Sequence, residues 1–363
     1  MEKLFPGVVM PTKEYWSGRR VLVTGHTGFK GSWMCEVLLG LGAKVYGYAL
    51  DPEPNSLFDE ADLSCRTNTF IGDVRHTGHL MEAFNTARPE VVIHMAAQPL
   101  VRDGYDRPAY TYDVNVMGTV NVLEGCRVRH PKSVVNVTTD KVYRNDEVSG
   151  YRYREGDPLD GFDPYSNSKS CSELVTATYK RCYFDKVGIP VSCMRSGNVI
   201  GPGDWAADRI VPDLVRSFVD GRTCELRNPS STRPYQHVLE PVCAYLAFAE
   251  AQALHPELAG EYNVGPDEES CVTTGELAMA LCEDWGDGAR WASVPQPNAP
   301  REAGFLALDA SKLKSVLGWR PRWNIEEVVA KTAEGYKELC AGVPAADVMG
   351  KQIEEYFGGV GRS

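Results

Sequence analysis

The chain has 363 residues, with 38 basic against 49 acidic side chains and a formal net charge of −11. A composition of 43% apolar and 10% aromatic residues is that of a globular protein, neither disordered nor collagen-like. The acidic balance argues against a protein whose main task is gripping nucleic acid or an anionic membrane. Residues 19–25 (RRVLVTG) read as a strand and 29–42 as a helix closed by glycine. Strands at 44–50 and 69–73 come next, then a helix over 78–87 stopped by Pro89, and a strand at 91–96. A longer helical pattern covers 109–129, succeeded by a strand at 133–138, a helix over 165–186 and a strand at 190–195. Strands that are apolar throughout and separated by helices predict an α/β fold, a parallel sheet covered on both faces. Right-handed crossovers then give a Rossmann-type, doubly wound arrangement. Beyond Gly197 proline and glycine become frequent and strands such as 224–227 and 261–264 are brief, so a smaller α/β lobe is expected as the other wall of a cleft.

No stretch approaches the roughly 18 uninterrupted apolar residues of a membrane span. Residues 1–16 carry charges where a signal peptide needs an apolar run, so a cytoplasmic protein is expected. The eleven cysteines are odd in number and irregularly spaced. Cys35, Cys171, Cys182, Cys193, Cys243 and Cys282 fall in apolar stretches where a thiol serves as a small hydrophobe. Neither C-x-x-C nor a histidine pair at ligand spacing occurs, and no metal site is expected.

Chemistry begins where the first strand turns into the first helix, in TGHTGFKG at 24–31. Gly25, Gly28 and Gly31 let the backbone turn sharply and approach a pyrophosphate held at the helix N-terminus, with Thr27, Phe29 and Lys30 filling the same turn. Asp51 comes 20 residues after Gly31, at the end of the second strand, where a carboxylate bonds ribose hydroxyls and repels a 2′-phosphate. That favours NAD over NADP, with Lys30 as a counter-signal. Asp73 and Val74 close the third strand, Asp73 being either an adenine contact or a helix N-cap. Ala96 and Ala97 end the fourth with small side chains that a cofactor can approach. His237 reads as structural and His26, beside the turn, as a loop residue.

In Tyr165-Ser166-Asn167-Ser168-Lys169 the tyrosine and lysine share a helix face. A neighbouring ammonium stabilises a phenolate and lowers its ordinary pKa of about 10 toward a useful base. The fifth strand ends in Thr139-Asp140-Lys141, at the sheet edge that faces ligand in such folds. Thr139 can position a substrate hydroxyl against Tyr165. Asp140 and Lys141 are either an acid and a base or a salt-bridged loop opening.

Together these residues resemble the extended short-chain dehydrogenase/reductase superfamily, and within it the nucleotide-sugar 4,6-dehydratases, most closely those acting on CDP-glucose. The likeness is carried by GHTGFKGSW, HMAAQPLVR, TTDKVY, DPYSNSK, GNVIGPGDWAADRIVPD and RPYQHVLEP, spread between Val21 and Trp323. Pro202, Tyr235 and Arg301 depart from the family pattern of glycine, tryptophan and a nearby histidine. The resemblance implies tightly held NAD, a base at Tyr165 aided by Thr139 and Lys169, and a deprotonated Lys141 that removes the carbon-5 proton. It further implies a protonated Asp140 that serves the departing carbon-6 hydroxyl, and a diphosphate grip by Asn198, Arg209 and Arg233. Asp204 and Trp205 would shape a loop over the sugar. It implies an NAD-binding Rossmann domain over 19–197, to which part of 229–263 returns, and a discontinuous nucleotide-sugar lobe over 198–357. Residues 1–18 and 358–363 are then terminal extensions. A homodimer through a four-helix bundle, built on helices near 109–129 and 170–186, is also implied. A nucleotide-sugar 4-epimerase, a dehydratase of another nucleotide sugar, and a non-catalytic NAD-sensing scaffold are the alternatives.

Overall fold

The structure is a computed structural model and describes residues 9–294 and 303–358. Seven strands form one parallel sheet: β1 Arg20–Thr24, β2 Lys44–Ala49, β3 Asn68–Ile71, β4 Val91–His94, β5 Ser133–Thr139, β6 Val191–Ser196 and β7 Glu261–Val264. Their order is β3-β2-β1-β4-β5-β6-β7. Every residue of β4, β5 and β6 is buried, as sheet faces covered by helices on both sides require. The chain runs outward in opposite directions from β1, which pairs with both β2 and β4. A crevice opens at that reversal, beyond the carboxyl ends of the strands. Register also sets Thr139 beside Ser196 at the ends of β5 and β6. The strand expected at 69–73 stops at Ile71, which leaves Gly72 and Asp73 in a loop at this edge.

The helices that matter for the site are α1 Phe29–Gly40, α2 Thr77–Ala87, α3 Pro108–Tyr112, α4 Gly118–Arg129 and α5 Pro164–Tyr179. A π turn, Asp113–Met117, joins α3 to α4, and another, Lys180–Phe184, extends α5, so each predicted long helix is continuous but locally widened. Asp163 caps α5 by accepting from Ser166 N, and Pro164 occupies its first turn.

The smaller lobe has its own core, in which α6 Ile210–Val219, α8 Thr274–Trp285 and α9 Ile325–Cys340 bury Leu214, Leu281, Trp285 and Tyr336. Between these in sequence, α7 Leu239–Leu254 is buried along nearly its whole length against the sheet and α1. The far segment corrects the expected boundary. Leu313, Trp319 and, on α10 Ala345–Gly358, Met349 and Tyr356 pack into the large core rather than the smaller lobe. Likewise, Trp16 has no exposed surface and Thr12 bonds Glu250, so residues 9–18 belong to the body and are not an extension. All eleven cysteines are free; Cys35, Cys193 and Cys243 are buried, but Cys182 is exposed and is not the small core hydrophobe it was expected to be. Among the described residues no helix is long and apolar enough to cross a membrane. Arg301 lies outside the described residues.

Candidate active site

A cavity of about 1040 Å³ fills the crevice between the sheet edge and the smaller lobe. At one end stands the glycine turn. Gly25 has φ +75°, and a Cβ there would lie 2.8 Å from Ala96 N; one at Gly31 would lie 2.1 Å from Gly25 O. Both glycines are therefore demanded by the protein's own packing. Gly28 is different, since a Cβ on it would meet nothing closer than Gly25 O at 3.6 Å. It caps α1 without a side-chain hydrogen bond, so the first amides of the helix point at the cavity unclaimed by any cap side chain. Thr27 ties the turn to the end of β2 by donating to Leu50 O. Thr27, Gly28, Phe29, Lys30, Gly31, Asp73, Val74, Ala96 and Ala97 all line the cavity. The turn, the bare amides and the small wall of β4 together fit a dinucleotide.

Three neighbours behave otherwise than expected. Asp51 is exposed just past β2, outside the cavity wall, where Leu50 takes the lining position. Asp73 is no helix N-cap: His76 holds that position in α2, and the Asp73 carboxylate is occupied by Arg75 at 2.7 Å. Burial alone would raise the Asp73 carboxyl, but hydrogen bonds and charge from Arg75 outweigh it and hold the group below its ordinary range. Lys30 does not face the ribose end at all. Its Nζ reaches Ser196 Oγ at 3.2 Å, where the Tyr245 hydroxyl also donates at 2.6 Å. Burial, then the charges of Arg209 and Lys169, push the Lys30 ammonium down to about 7. Sequence reasoning missed Ser196 and Tyr245, which carry no motif of their own. His26 is a residue of the turn, as expected, but fully buried, set edge-on to Phe58 and directly over Gly47.

At the centre, α5 brings Tyr165 and Lys169 to the end of β5. Lys169 Nζ donates to Val137 O at 3.0 Å. The expected lowering of the Tyr165 phenol by Lys169 is not what the structure gives. Burial dominates and pushes the phenol up to about 12, eased by a hydrogen bond with the Thr139 side chain and by Arg209. Burial also lowers Lys169 to about 8, against the pull of Glu173. Glu173, a further turn along the same face of α5, forms a buried pair with Arg195, whose Nε lies 2.9 Å from both carboxylate oxygens. Thr138 donates to Glu173 as well, and Arg195 donates to the Tyr143 hydroxyl at 2.7 Å. This network pins α5 to β5 and β6, and removing one partner of such a pair costs about 3–5 kcal/mol. The i+4 spacing from Lys169 was its only sequence signal.

After Thr139 the chain enters a 3₁₀ turn, Asp140–Val142, which turns neighbouring residues to opposite sides. Asp140 goes inward, with no exposed surface and off the cavity wall; Lys141 faces the cavity. Thr139 Oγ1 donates to Asp140 Oδ1 at 2.9 Å, and Lys141 Nζ lies 3.2 Å from the same oxygen, while Asp140 Oδ2 has no partner among the described residues. Lys141 is thus half-buried, its ammonium held at the cavity edge by the Asp140 carboxylate.

On the smaller lobe, Asn198, Arg209 and Arg233 line the cavity. Asn198 Oδ1 is 3.5 Å from Lys141 Nζ. Arg209 is anchored by Asp204 at 2.8 Å, leaving the rest of its guanidinium for the cavity. Arg233 is buried and donates to the carbonyls of Thr232 and Ala303, so part of its donor set is already spent on the lobe itself. Trp205 packs edge-on against Tyr336, and the Tyr336 hydroxyl holds Asp204 O. His237 is buried between Trp33 and Trp323, a structural role. Among the described residues no group of three potential metal ligands is assembled.

The family described as GDP-mannose 4,6 dehydratase matches residues 22–332. The chain is similar to a CDP-glucose 4,6-dehydratase of Salmonella typhimurium, with 43% identity over 96% of this chain and 99% of that one. It is similar in structure to a UDP-glucose 4-epimerase of Thermus thermophilus in complex with NAD, with a TM-score of 0.75 and 29% identity, covering 88% of this chain and 99% of that one. A dTDP-glucose 4,6-dehydratase of Streptomyces venezuelae shares the fold, with a TM-score of 0.75 and 24% identity over 90% of this chain and 99% of that one.

Proposed function

The chain belongs to the GDP-mannose 4,6 dehydratase family, and from that premise we propose that it dehydrates CDP-D-glucose to CDP-4-keto-6-deoxy-D-glucose. The glycine turn and the first amides of α1 would hold NAD+, which would supply a reversible hydride acceptor for the oxidation at carbon 4 and the reduction at carbon 6. Tyr165, as phenolate, takes the proton of the carbon-4 hydroxyl, with Thr139 aligning that hydroxyl and Lys169 beneath. The new ketone acidifies the carbon-5 proton, which Lys141 removes and later restores. Asp140 supplies the proton that lets the carbon-6 hydroxyl leave as water, a role that requires its inward-turned carboxyl to rotate toward the cavity when the sugar is bound; a placed acid is worth roughly 10²–10⁴-fold in such a step. Asn198, Arg209 and Arg233 hold the diphosphate.

The observation that carries this reading is the set of Thr139, Asp140 and Lys141 at the end of β5, facing Tyr165 and Lys169 on α5. A 4-epimerase uses the tyrosine, the lysine and NAD but has no task for an Asp-Lys pair; a scaffold has a task for none of them. The test is incubation with CDP-glucose carrying deuterium at carbon 4. The expected product is an alkali-absorbing ketosugar with deuterium in its new methyl group. CDP-galactose without ketosugar would identify an epimerase, and no conversion of any nucleotide sugar would identify a binding protein.

The protein is read as a homodimer paired through α4 and α5 with their adjoining π turns, along which Met117, Val128, Leu174 and Tyr183 are exposed. A cytoplasmic location is supported by the free, exposed thiols of Cys65, Cys182 and Cys340.

A further inference from the structure

Two segments far apart in sequence meet over the cavity. One is an arm, residues 143–153, which leaves the sheet directly after the Asp140–Val142 turn. The other is a strap, residues 303–309, which follows α8 of the smaller lobe in the chain. Arg152 and Tyr153 of the arm pair with Ala307 and Leu308 of the strap, and Asn145 Nδ2 donates to Phe305 O at 3.0 Å. On its other side the strap is zipped to Thr232. Thr232 N donates to Gly304 O at 2.9 Å, and Leu306 N donates to Thr232 O at 3.3 Å.

The junction of arm, strap and lobe is a single peptide group. Gly304 N donates to Glu147 Oε2 at 2.8 Å. The carbonyl of that same group, Ala303 O, accepts from Arg233 Nη2 at 2.5 Å. A peptide group is planar and stiff, with its N–H and C=O pointing in opposite directions. A carboxylate that anchors one end therefore restrains the guanidinium held at the other. Arg233 Nη1 is claimed by Thr232 O at 2.9 Å, which fixes the plane of the guanidinium and leaves the rest of its donor set for a ligand. Glu147 and Arg233 both line the cavity.

Glu147 is itself braced. Its φ is +58°, uncommon outside glycine, and its own N–H donates to Asn145 Oδ1 at 2.9 Å. The Tyr153 hydroxyl donates to the same oxygen at 2.9 Å, so the turn that carries the carboxylate is tied to the paired part of the arm.

We propose that Glu147 is a positioning residue for the nucleotide sugar, holding Arg233 in its binding orientation through the Ala303–Gly304 peptide. The role rests on the reading of Arg233 as a diphosphate ligand. An arginine oriented in advance has less freedom to lose when the diphosphate arrives, so the benefit falls on affinity and not on the chemical step.

The test titrates CDP into the NAD-loaded enzyme by calorimetry and measures kcat and KM for CDP-glucose alongside. Wild type, Glu147→Ala, Glu147→Gln, Arg233→Ala and the double variant Glu147→Ala/Arg233→Ala are compared, after circular dichroism has established folding. Glu147→Ala should weaken CDP and raise KM by about tenfold, with kcat held within about twofold. Glu147→Gln keeps an oxygen that accepts from Gly304 N and should stay within about threefold of wild type. In the Arg233→Ala background, Glu147→Ala should cost less than about twofold, because its effect passes through the arginine. Unchanged CDP affinity in Glu147→Ala, an equal loss in both backgrounds, or a Gln variant as poor as Ala overturns the positioning role. Wild-type CDP affinity in Arg233→Ala overturns the diphosphate assignment and the positioning role together. If the CDP affinities follow the expected pattern but the wild type forms no ketosugar, the assigned reaction falls and the positioning role stands.

Discussion

Lys141 Nζ lies 3.2 Å from Oδ1 of Asp140, yet the carboxyl has no exposed surface and the lysine side chain is 30% exposed. Adjacent in sequence, one residue faces the protein and the other the substrate cavity. Lys141→Met keeps the chain length and removes the amine. It should still oxidise carbon 4 but lose ketosugar formation by roughly 10²–10⁴-fold. Reduced nicotinamide should then accumulate in absorbance. Normal water loss in this variant would remove Lys141 from the carbon-5 step.

Burial holds the Tyr165 phenol up to about 12, with the Thr139 bond pulling it back. The reactive form is the phenolate, so the sign is fixed: the rate rises with pH until the phenol of the loaded enzyme is ionised, and removing the Thr139 hydroxyl moves that rise to higher pH. Tyr165→Phe should lose about 10²-fold or more in turnover while still binding NAD. A pH–rate profile of the wild type and Thr139→Val, with cofactor titration of Tyr165→Phe, checks both.

The glycines of the turn separate packing from binding. Gly31→Ala puts a methyl 2.1 Å from Gly25 O and should lower thermal stability along with cofactor affinity. Gly28→Ala meets no protein atom within 3.6 Å, so the melting temperature should hold while NAD affinity falls. Equal loss of stability in both would contradict this division.

Glu240 is a buried carboxyl that accepts from Arg322 N, Trp323 N and the Tyr356 hydroxyl, yet burial still pushes it up to about 7. A folded-state value above the unfolded one means its contribution is fully present below about 4.5 and is lost as pH rises through about 7. The change is on the order of 3 kcal/mol. Glu240→Gln should flatten the fall in urea stability between those pH values; an unchanged slope would place its origin elsewhere.

Leu174 is 56% exposed in the middle of α5. If that face pairs two chains, Leu174→Glu should shift the sedimentation profile toward a smaller species and leave the monomer fold intact. An unchanged profile would move the pairing surface.

Much of the site was legible because it depends on local rules. The i, i+4 spacing of Tyr165 and Lys169, the threonine at a strand end and the glycine turn each derive from the geometry of a single element. Partners across the chain were not legible in this way. Asp73 spends its charge on Arg75, Lys30 turns toward Ser196, Arg233 is half committed to the carbonyls of its own lobe, and Asp51 stays in solvent.

The amino-acid order by itself determined a doubly wound parallel sheet and the glycine turn, strand ends and Tyr-Lys helix that carry its chemistry, since hydrophobic period and turn chemistry act over a few residues. Tertiary structure alone decided which charges are buried, which are paired and which face substrate. Desolvation and Coulomb interaction act through space, on neighbours that only the folded chain brings within a few ångströms.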